Sequence, residues 1–302
     1  MSASPPVPPG PSTTGAGPMP GARRLAVGGL SLHCLEWTPP HAPGVPFLLV
    51  HGLASNCRTW ERVGGRLAGH GHRVAAVDQR GHGRSDAPAT GYDFATLCDD
   101  LERVLDELGF ARAVVVGQST GGNLAVELAV RARHRLAGVV GVDGGAIELQ
   151  DRWPRWDDCA AALSPPRLAG TPVAEVAAML RRAHPDWDGW AIDATLANLE
   201  VRDDATVAPR LAFEHHLRIL RALWEHRPSR LLADLDVPVL LISADAGDGS
   251  SADKRAATDR AVGLLRRGRS AWIAPADHDV HVQRPDVVAD LLLGAVKDGF
   301  FG

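Results

Sequence analysis

Short unbroken apolar blocks recur along this chain, separated by stretches whose apolar residues fall three and four apart. The blocks at residues 46–50, 72–77, 113–116, 136–142, 237–243 and 270–274 do not alternate with polar positions, the mark of strands covered on both faces. Between them, residues 57–68, 94–108, 124–132, 254–267 and 285–297 read as helices. In the second of these, Leu97, Leu101, Val104, Leu105 and Leu108 share a face. Residues 24–27 and 30–37 read as an antiparallel pair turning at Gly28-Gly29. The alternation predicts an α/β fold: a doubly wound, mostly parallel, eight-stranded sheet with helices on both faces.

The rhythm breaks between residues 148 and 230. That stretch offers no convincing strand, and it carries Trp153, Trp156, Trp187, Trp190 and Trp224 among amphipathic runs such as 173–182 and 211–226. It predicts a helical cap inserted into a core made of residues 22–147 and 231–302. Residues 1–21 are dominated by Pro, Gly, Ser, Thr and Ala. Their apolar surface is too small to offset the entropy of ordering, which predicts a disordered tail. They also lack the basic start and apolar block of a secretion signal.

Composition narrows the function classes. Apolar residues make up 45% of the chain, enough for a substantial core, and the formal charge of −4 gives no electrostatic ground for a nucleic acid or an anionic membrane as partner. Cys34, Cys57, Cys98 and Cys159 follow no metal-ligand or C-x-x-C spacing, which points to reduced structural thiols in a cytoplasmic protein. No run approaches the roughly 18 apolar residues of a membrane span. His215-His216 and Asp203-Asp204 invite a metal reading, but adjacent helical residues point about 100° apart and neither pair converges on an ion unaided. No metal or cofactor is expected.

The candidate chemistry concentrates at Gly117-Gln118-Ser119-Thr120-Gly121, where a β-branched run stops at a serine flanked by glycines and a helix follows at once. This is G-x-S-x-G in the strand–turn–helix context of a nucleophile elbow. A serine in so tight a turn leaves no room for side chains two residues away on either side, which accounts for Gly117 and Gly121. The helix starting beneath it aims unpaired N–H groups at negative charge developing there. Upstream, a strand ends in His51-Gly52-Leu53-Ala54, a loop suited to present a backbone N–H beside the serine. The backbone amides of Leu53 and Thr120 are the candidate oxyanion donors, and His51 is read as a loop residue.

The segment Asp78-Gln79-Arg80-Gly81-His82-Gly83-Arg84-Ser85 reads as scaffold, tied down by Asp78 and Arg80, with His82 structural or solvent-facing. The general base should follow the last strand. His278 lies there, seven residues before the helix-opening Pro285, whereas His281 falls where the next turn would pack.

These motifs, in this order, resemble the α/β-hydrolase family over residues 23–147 and 231–302, with a variable cap between. The resemblance implies Ser119 as nucleophile, His278 as base and an acidic third member. Asp277 departs from the glycine usual before that histidine. For the acid the resemblance leaves alternatives. The commoner position, nine residues past Pro238, is Gly247, so a one-residue insertion would make Asp248 the acid, and Asp245 lies two before. Asp143 ends the strand after the elbow, a placement similar to haloalkane dehalogenases and zearalenone-type lactonases. Asp248 is preferred, ahead of Asp143 and then Asp245. The expected activity is esterase- or lactonase-like serine hydrolysis of a small to medium apolar or aromatic substrate, with Trp153, Trp156 and Trp187 as candidate pocket residues. The same triad suits acyl transfer, carbon–carbon bond hydrolysis and cofactor-free haloperoxidase or perhydrolase chemistry, and a ligand receptor of the same fold is the alternative from a different class.

Overall fold

A computed structural model describes residues 17–249 and 251–301. The strands are β1 (Gly21–Val27), β2 (Leu30–Trp37), β3 (Phe47–Val50), β4 (Val74–Val77), β5 (Ala113–Gln118), β6 (Leu136–Val142), the short β7 (Leu199–Val201) and β8 (Val207–Pro209), β9 (Val239–Ala244) and β10 (Gly268–Ile273). Eight of them form one sheet in the order β1-β2-β4-β3-β5-β6-β9-β10. The β1–β2 and β2–β4 pairs are antiparallel and all other pairs in this sheet are parallel.

The non-alternating apolar blocks are explained by their two-sided burial. In β3, Leu48 and Val50 enter one core while Phe47 and Leu49 enter the other; Val115 and Val114 of β5 divide the same way. Helices α1 (Glu61–Gly69), α2 (Phe94–Glu107) and α3 (Thr120–Arg131) follow β3, β4 and β5. Leu97, Leu101 and Leu105 of α2 and Leu124 and Leu128 of α3 close the first core. The second is closed by Val63 and Leu67 of α1 together with residues near the chain's end.

The segment between β6 and β9 holds α4 (Leu149–Arg152), α5 (Trp156–Leu163), α6 (Val173–Ala183), α7 (Gly189–Leu196) and α8 (Phe213–Glu225), and the chain ends through α9 (Ala252–Leu264), α10 (Val280–Gln283) and α11 (Pro285–Lys297). Between α7 and α8 lies the β7–β8 hairpin, which the periodicity did not predict because three-residue strands are too short to show it. Its turn contains Asp203-Asp204-Ala205. Asp204 Oδ1 accepts from the Thr206 N–H at 2.9 Å and from its hydroxyl at 2.7 Å, so that acidic pair shapes a turn.

Two expectations are corrected at the chain's start. Of the tail assigned to residues 1–21, residues 1–16 lie outside the described set, but Gly21 opens β1 and the Pro18 carbonyl is bonded to the core. The buried indole of Trp37 needs an acceptor, and its Nε1–H finds the Pro18 carbonyl at 2.9 Å. The helix expected from Cys57 begins as a 3₁₀ turn, Cys57–Trp60, before α1. No helix among the described residues is long and apolar enough to cross a membrane.

Candidate active site

Ser119 caps the N-terminus of α3 with φ 51° and ψ −119°, a conformation that costs an L-residue about 1–3 kcal/mol. The surroundings hold it there. Its N–H donates to the Val142 carbonyl at 3.0 Å, and its carbonyl accepts from Gly122 N–H at 2.9 Å. A Cβ on Gly117 would lie 2.0 Å from the Gly121 carbonyl oxygen, and one on Gly121 would lie 2.5 Å from that of Val50. The glycines around the serine are therefore steric requirements, as the motif implied.

Three loops close on this elbow. A Cβ on Gly52 would come within 3.1 Å of Ser119 Cβ, so the loop after β3 runs directly beside the serine. The amides of Leu53 and Thr120 have no hydrogen-bond partner among the described residues, the condition an oxyanion donor must meet. Gly144 presses against the Ser119 backbone from the loop after β6. From the loop after β10, the His278 carbonyl accepts from Gln118 Nε2 at 3.2 Å.

His51 and His82 are buried struts of the first loop. The Gln79 N–H donates to His51 Nε2 at 3.1 Å, which leaves the proton on Nδ1 to reach the Gly52 carbonyl at 2.7 Å. Ala54 N–H donates to His82 Nε2 at 3.3 Å, and His82 Nδ1 donates to the Arg80 carbonyl at 3.0 Å. Burial lowers both pKa values, His82 to about 3, so both rings are neutral. Of the two residues expected to tie down the next loop, Asp78 accepts from His33 Nδ1 (2.9 Å), Cys57 N–H (2.7 Å) and Arg84 N–H (2.9 Å), while Arg80 grips buried Asp100 through two bonds. His33, Cys57 and Asp78 have metal-ligand chemistry within 4.8 Å of one another, but these bonds already occupy the Asp78 carboxylate as a loop hub.

Of the three candidate acids, the structure brings Asp143, and not the preferred Asp248, to His278. His278 Nδ1 bonds Asp143 Oδ2 at 2.7 Å; a carboxylate only accepts, so Nδ1 carries the proton and Nε2 is left to receive one. Asp245 is engaged instead by Gly247 N–H at 2.9 Å and by Arg255, and Asp248, the preferred candidate, lies exposed in the β9–α9 loop. The physical reason lies in β6 and β9, which are parallel neighbours and deliver carboxylates to the same sheet edge. Asp143, at φ 44°, is the one turned to the ring. Its Oδ1 also accepts from Ala244 N–H at 2.9 Å, and Lys254 Nζ bonds both carboxylate oxygens at 3.0 and 3.1 Å.

Burial works to raise the Asp143 pKa, but the His278 bond and charge, with Lys254, outweigh it and hold the carboxyl below its ordinary range. For His278 burial works downward, and the bond and charge of Asp143 override it, keeping the imidazole above its ordinary value. Among the described residues no hydrogen bond joins Ser119 to His278. Such bonds commonly form only once substrate is seated.

Asn123, fully buried, was not singled out in the sequence, although it follows the elbow as Gly121-Gly122-Asn123. Its Oδ1 accepts from Gly145 N–H (2.9 Å) and Ile147 N–H (3.2 Å), which fixes the loop that carries Asp143. Lys254 left no local signal at all.

A cavity of about 720 Å³ opens between this loop system and the inserted segment. Ala54, Ser55 and His82 line it on the side of the core, with Leu168, Val176, Leu180, Leu199, Leu211 and Phe213 among its other lining residues; it opens beside the loop that carries Leu53, and Ser119 and His278 are not among the residues that line it. Trp153, Trp156 and Trp187 do not line it, contrary to expectation. Trp153 receives the Trp224 indole N–H on its carbonyl at 2.7 Å, Trp156 packs edge-on against Trp224, and Trp187 stacks on His184 at 3.8 Å. The Trp187 ring also joins a cluster with Val282 of α10, and the Trp153 ring lies under Arg152.

Comparison with known proteins agrees with this architecture. The chain is 36% identical over 104 residues to a non-heme chloroperoxidase of Streptomyces lividans, covering 34% of this chain and 37% of that protein. It is 37% identical over 122 residues to epoxide hydrolase B of Mycobacterium tuberculosis, covering 40% of this chain and 34% of that one. The chain thus spans about a third of the length of these curated relatives. The solved structure of E-2-(acetamidomethylene)succinate hydrolase superposes with a TM-score of 0.75 at 24% identity, over 92% of this chain and 99% of the other, a likeness of fold. Residues 45–283 match the family model of the alpha/beta hydrolase fold, and the chain belongs to that family.

Proposed function

We propose that this protein is a serine hydrolase that cleaves an ester, lactone or related acyl bond of a small to medium, largely apolar molecule. The observation that carries the reading is the joint presence of Ser119 at a strained elbow and a proton-accepting His278 backed by Asp143 at 2.7 Å. In the proposed sequence, His278 Nε2 takes the Ser119 hydroxyl proton as Oγ attacks the carbonyl carbon. The Leu53 and Thr120 amides receive the oxyanion, and loss of one such donor typically costs about 3–4 kcal/mol of transition-state stabilisation. His278 then protonates the departing alcohol, and water repeats the attack to free the acid and regenerate Ser119.

The stretch 148–230 is read as the cap, and the apolar walls it gives the cavity favour a hydrophobic acyl or alcohol group. Epoxide opening of the carboxylate-nucleophile type is disfavoured, because position 119 offers a hydroxyl. The test is turnover of aryl esters of graded acyl length and of lactones, alongside labelling by a fluorophosphonate probe. Ser119→Ala is expected to abolish both, and full activity in that variant would overturn the mechanism.

A further inference from the structure

The triad reading leaves one close contact unused. Lys254, in the first turn of α9, donates to both oxygens of Asp143, at 3.0 and 3.1 Å, and to the Ala244 carbonyl at 2.9 Å. Asp143 is almost wholly buried, and its Oδ2 is shared between Lys254 and His278. Backbone donors such as Ala244 N–H suffice to orient a carboxylate. A full positive charge at this range also draws off part of the field that the carboxylate exerts on its imidazole.

We propose that Lys254 is a positioning residue for the base: it locks the Asp143 carboxylate in place and limits how tightly Asp143 holds a second proton on His278, so that the ring stays neutral to lower pH. Its consequence for turnover rests on the serine-hydrolase reading above, whereas its effect on the ring does not.

The other charged and titratable groups around the pair cannot supply this balance. On the base loop, Asp277 is paired with His184 of the α6–α7 loop at 3.1 Å, and Asp279, whose own pKa burial raises, adds negative charge when ionised. His281 of α10 and His51 after β3 have pKa values lowered by burial and stand as neutral rings. Arg255, next to Lys254, is held by Asp245 and lies over the Trp272 ring. Asp143 and Asp279 push the His278 pKa up and Lys254 pushes it down.

The experiment titrates the His278 ring by NMR in Ser119→Ala protein, with and without Lys254→Met. Loss of the cation is expected to move the ring's pKa upward by roughly half a unit or more, the charge being partly screened where the lysine reaches solvent. Lys254→Arg should leave it near its starting value. In protein retaining Ser119, the acid limb of kcat/KM for a neutral ester should move up by the same amount, with little change in KM. An unmoved or lowered His278 titration in Lys254→Met overturns the proposal. Should that variant not fold, Lys254→Gln, a donor without charge, must shift the ring while Lys254→Arg does not; equal values in these two overturn it as well. If Ser119→Ala still turns over substrate, the hydrolase reading falls, and the ring titration still decides the role of Lys254.

Discussion

His278 Nδ1 donates to Asp143 Oδ2 at 2.7 Å across 135 residues of chain, joining the loop after the last strand of the sheet to the loop beside the elbow. If that bond sets the tautomer of the proposed base, Asp143→Asn should lower kcat/KM by roughly 10²–10⁴ while the far-ultraviolet circular dichroism stays unchanged. Asp248→Asn should change it by less than about threefold, as a surface substitution does. Steady-state kinetics on the two variants makes the comparison.

The elbow stores strain that a glycine would release. Ser119→Gly is expected to raise Tm by about 2 °C while removing activity, because a residue without Cβ adopts φ 51° freely. Gly117→Ala should do the reverse, costing more than about 3 kcal/mol or preventing folding, since its Cβ would meet backbone at 2.0 Å. Gly294→Ala, in α11 with nothing within 4 Å, is the control and should gain about 0.5–1 kcal/mol. Differential scanning calorimetry reads all three.

Acid should weaken the fold before its carboxylates titrate. Burial pushes His82 and His281 down to about 3, below the value near 6.5 of an unfolded chain, so the unfolded state binds protons first. Their contribution is complete above about pH 6.5 and declines as pH falls toward 3, by up to about 1.4 kcal/mol per pH unit for each ring. His278 runs the other way, because its raised pKa stabilises the fold at low pH and loses that effect as pH rises through it. Among the described residues neither ring nitrogen of His281 has a hydrogen-bond partner, and the ring lies 4.4 Å from that of Trp60. His281→Leu should therefore cost little at pH 7.5 and make Tm fall less steeply between pH 6.5 and 4.5.

Asn56 joins the core to the insertion. Its Oδ1 caps the turn at Cys57–Trp60 through Arg58 N–H at 2.8 Å, while Nδ2 donates to the Ala194 carbonyl at 2.8 Å and to Asn198 Oδ1 at 2.5 Å. Asn56→Asp keeps the cap and loses both donors; Asn56→Ala loses everything. Hydrogen exchange in α7 should rise in both, and Asn56→Asp should lose at least as much stability as Asn56→Ala, because it turns a buried carboxylate oxygen toward the Ala194 carbonyl.

What could be read from the chain beforehand divides along a physical line. The elbow was legible because sterics write its demands into adjacent positions, Gly117, Ser119 and Gly121. His278 was legible from its distance to the helix-opening Pro285. The partner of His278 was not, because Asp143, Asp245 and Asp248 all follow strands that lie side by side. Choosing among them depends on the turn at Asp143 and on a lysine 111 residues away, neither of which leaves a local trace. The tryptophans misled for a related reason: richness in aromatic residues says nothing about which side of a helix faces a cavity.

Strands β6 and β9 are hydrogen-bonded neighbours, yet the whole stretch that walls the cavity is threaded between them. Because Val139 pairs with Val239 whatever the intervening chain does, that stretch can lengthen, shorten or be exchanged without shifting the sheet register on which Asp143 and His278 depend. On the proposed reading, choice of molecule and breaking of bonds therefore fall in separate stretches of the chain, so that one can be exchanged without the other.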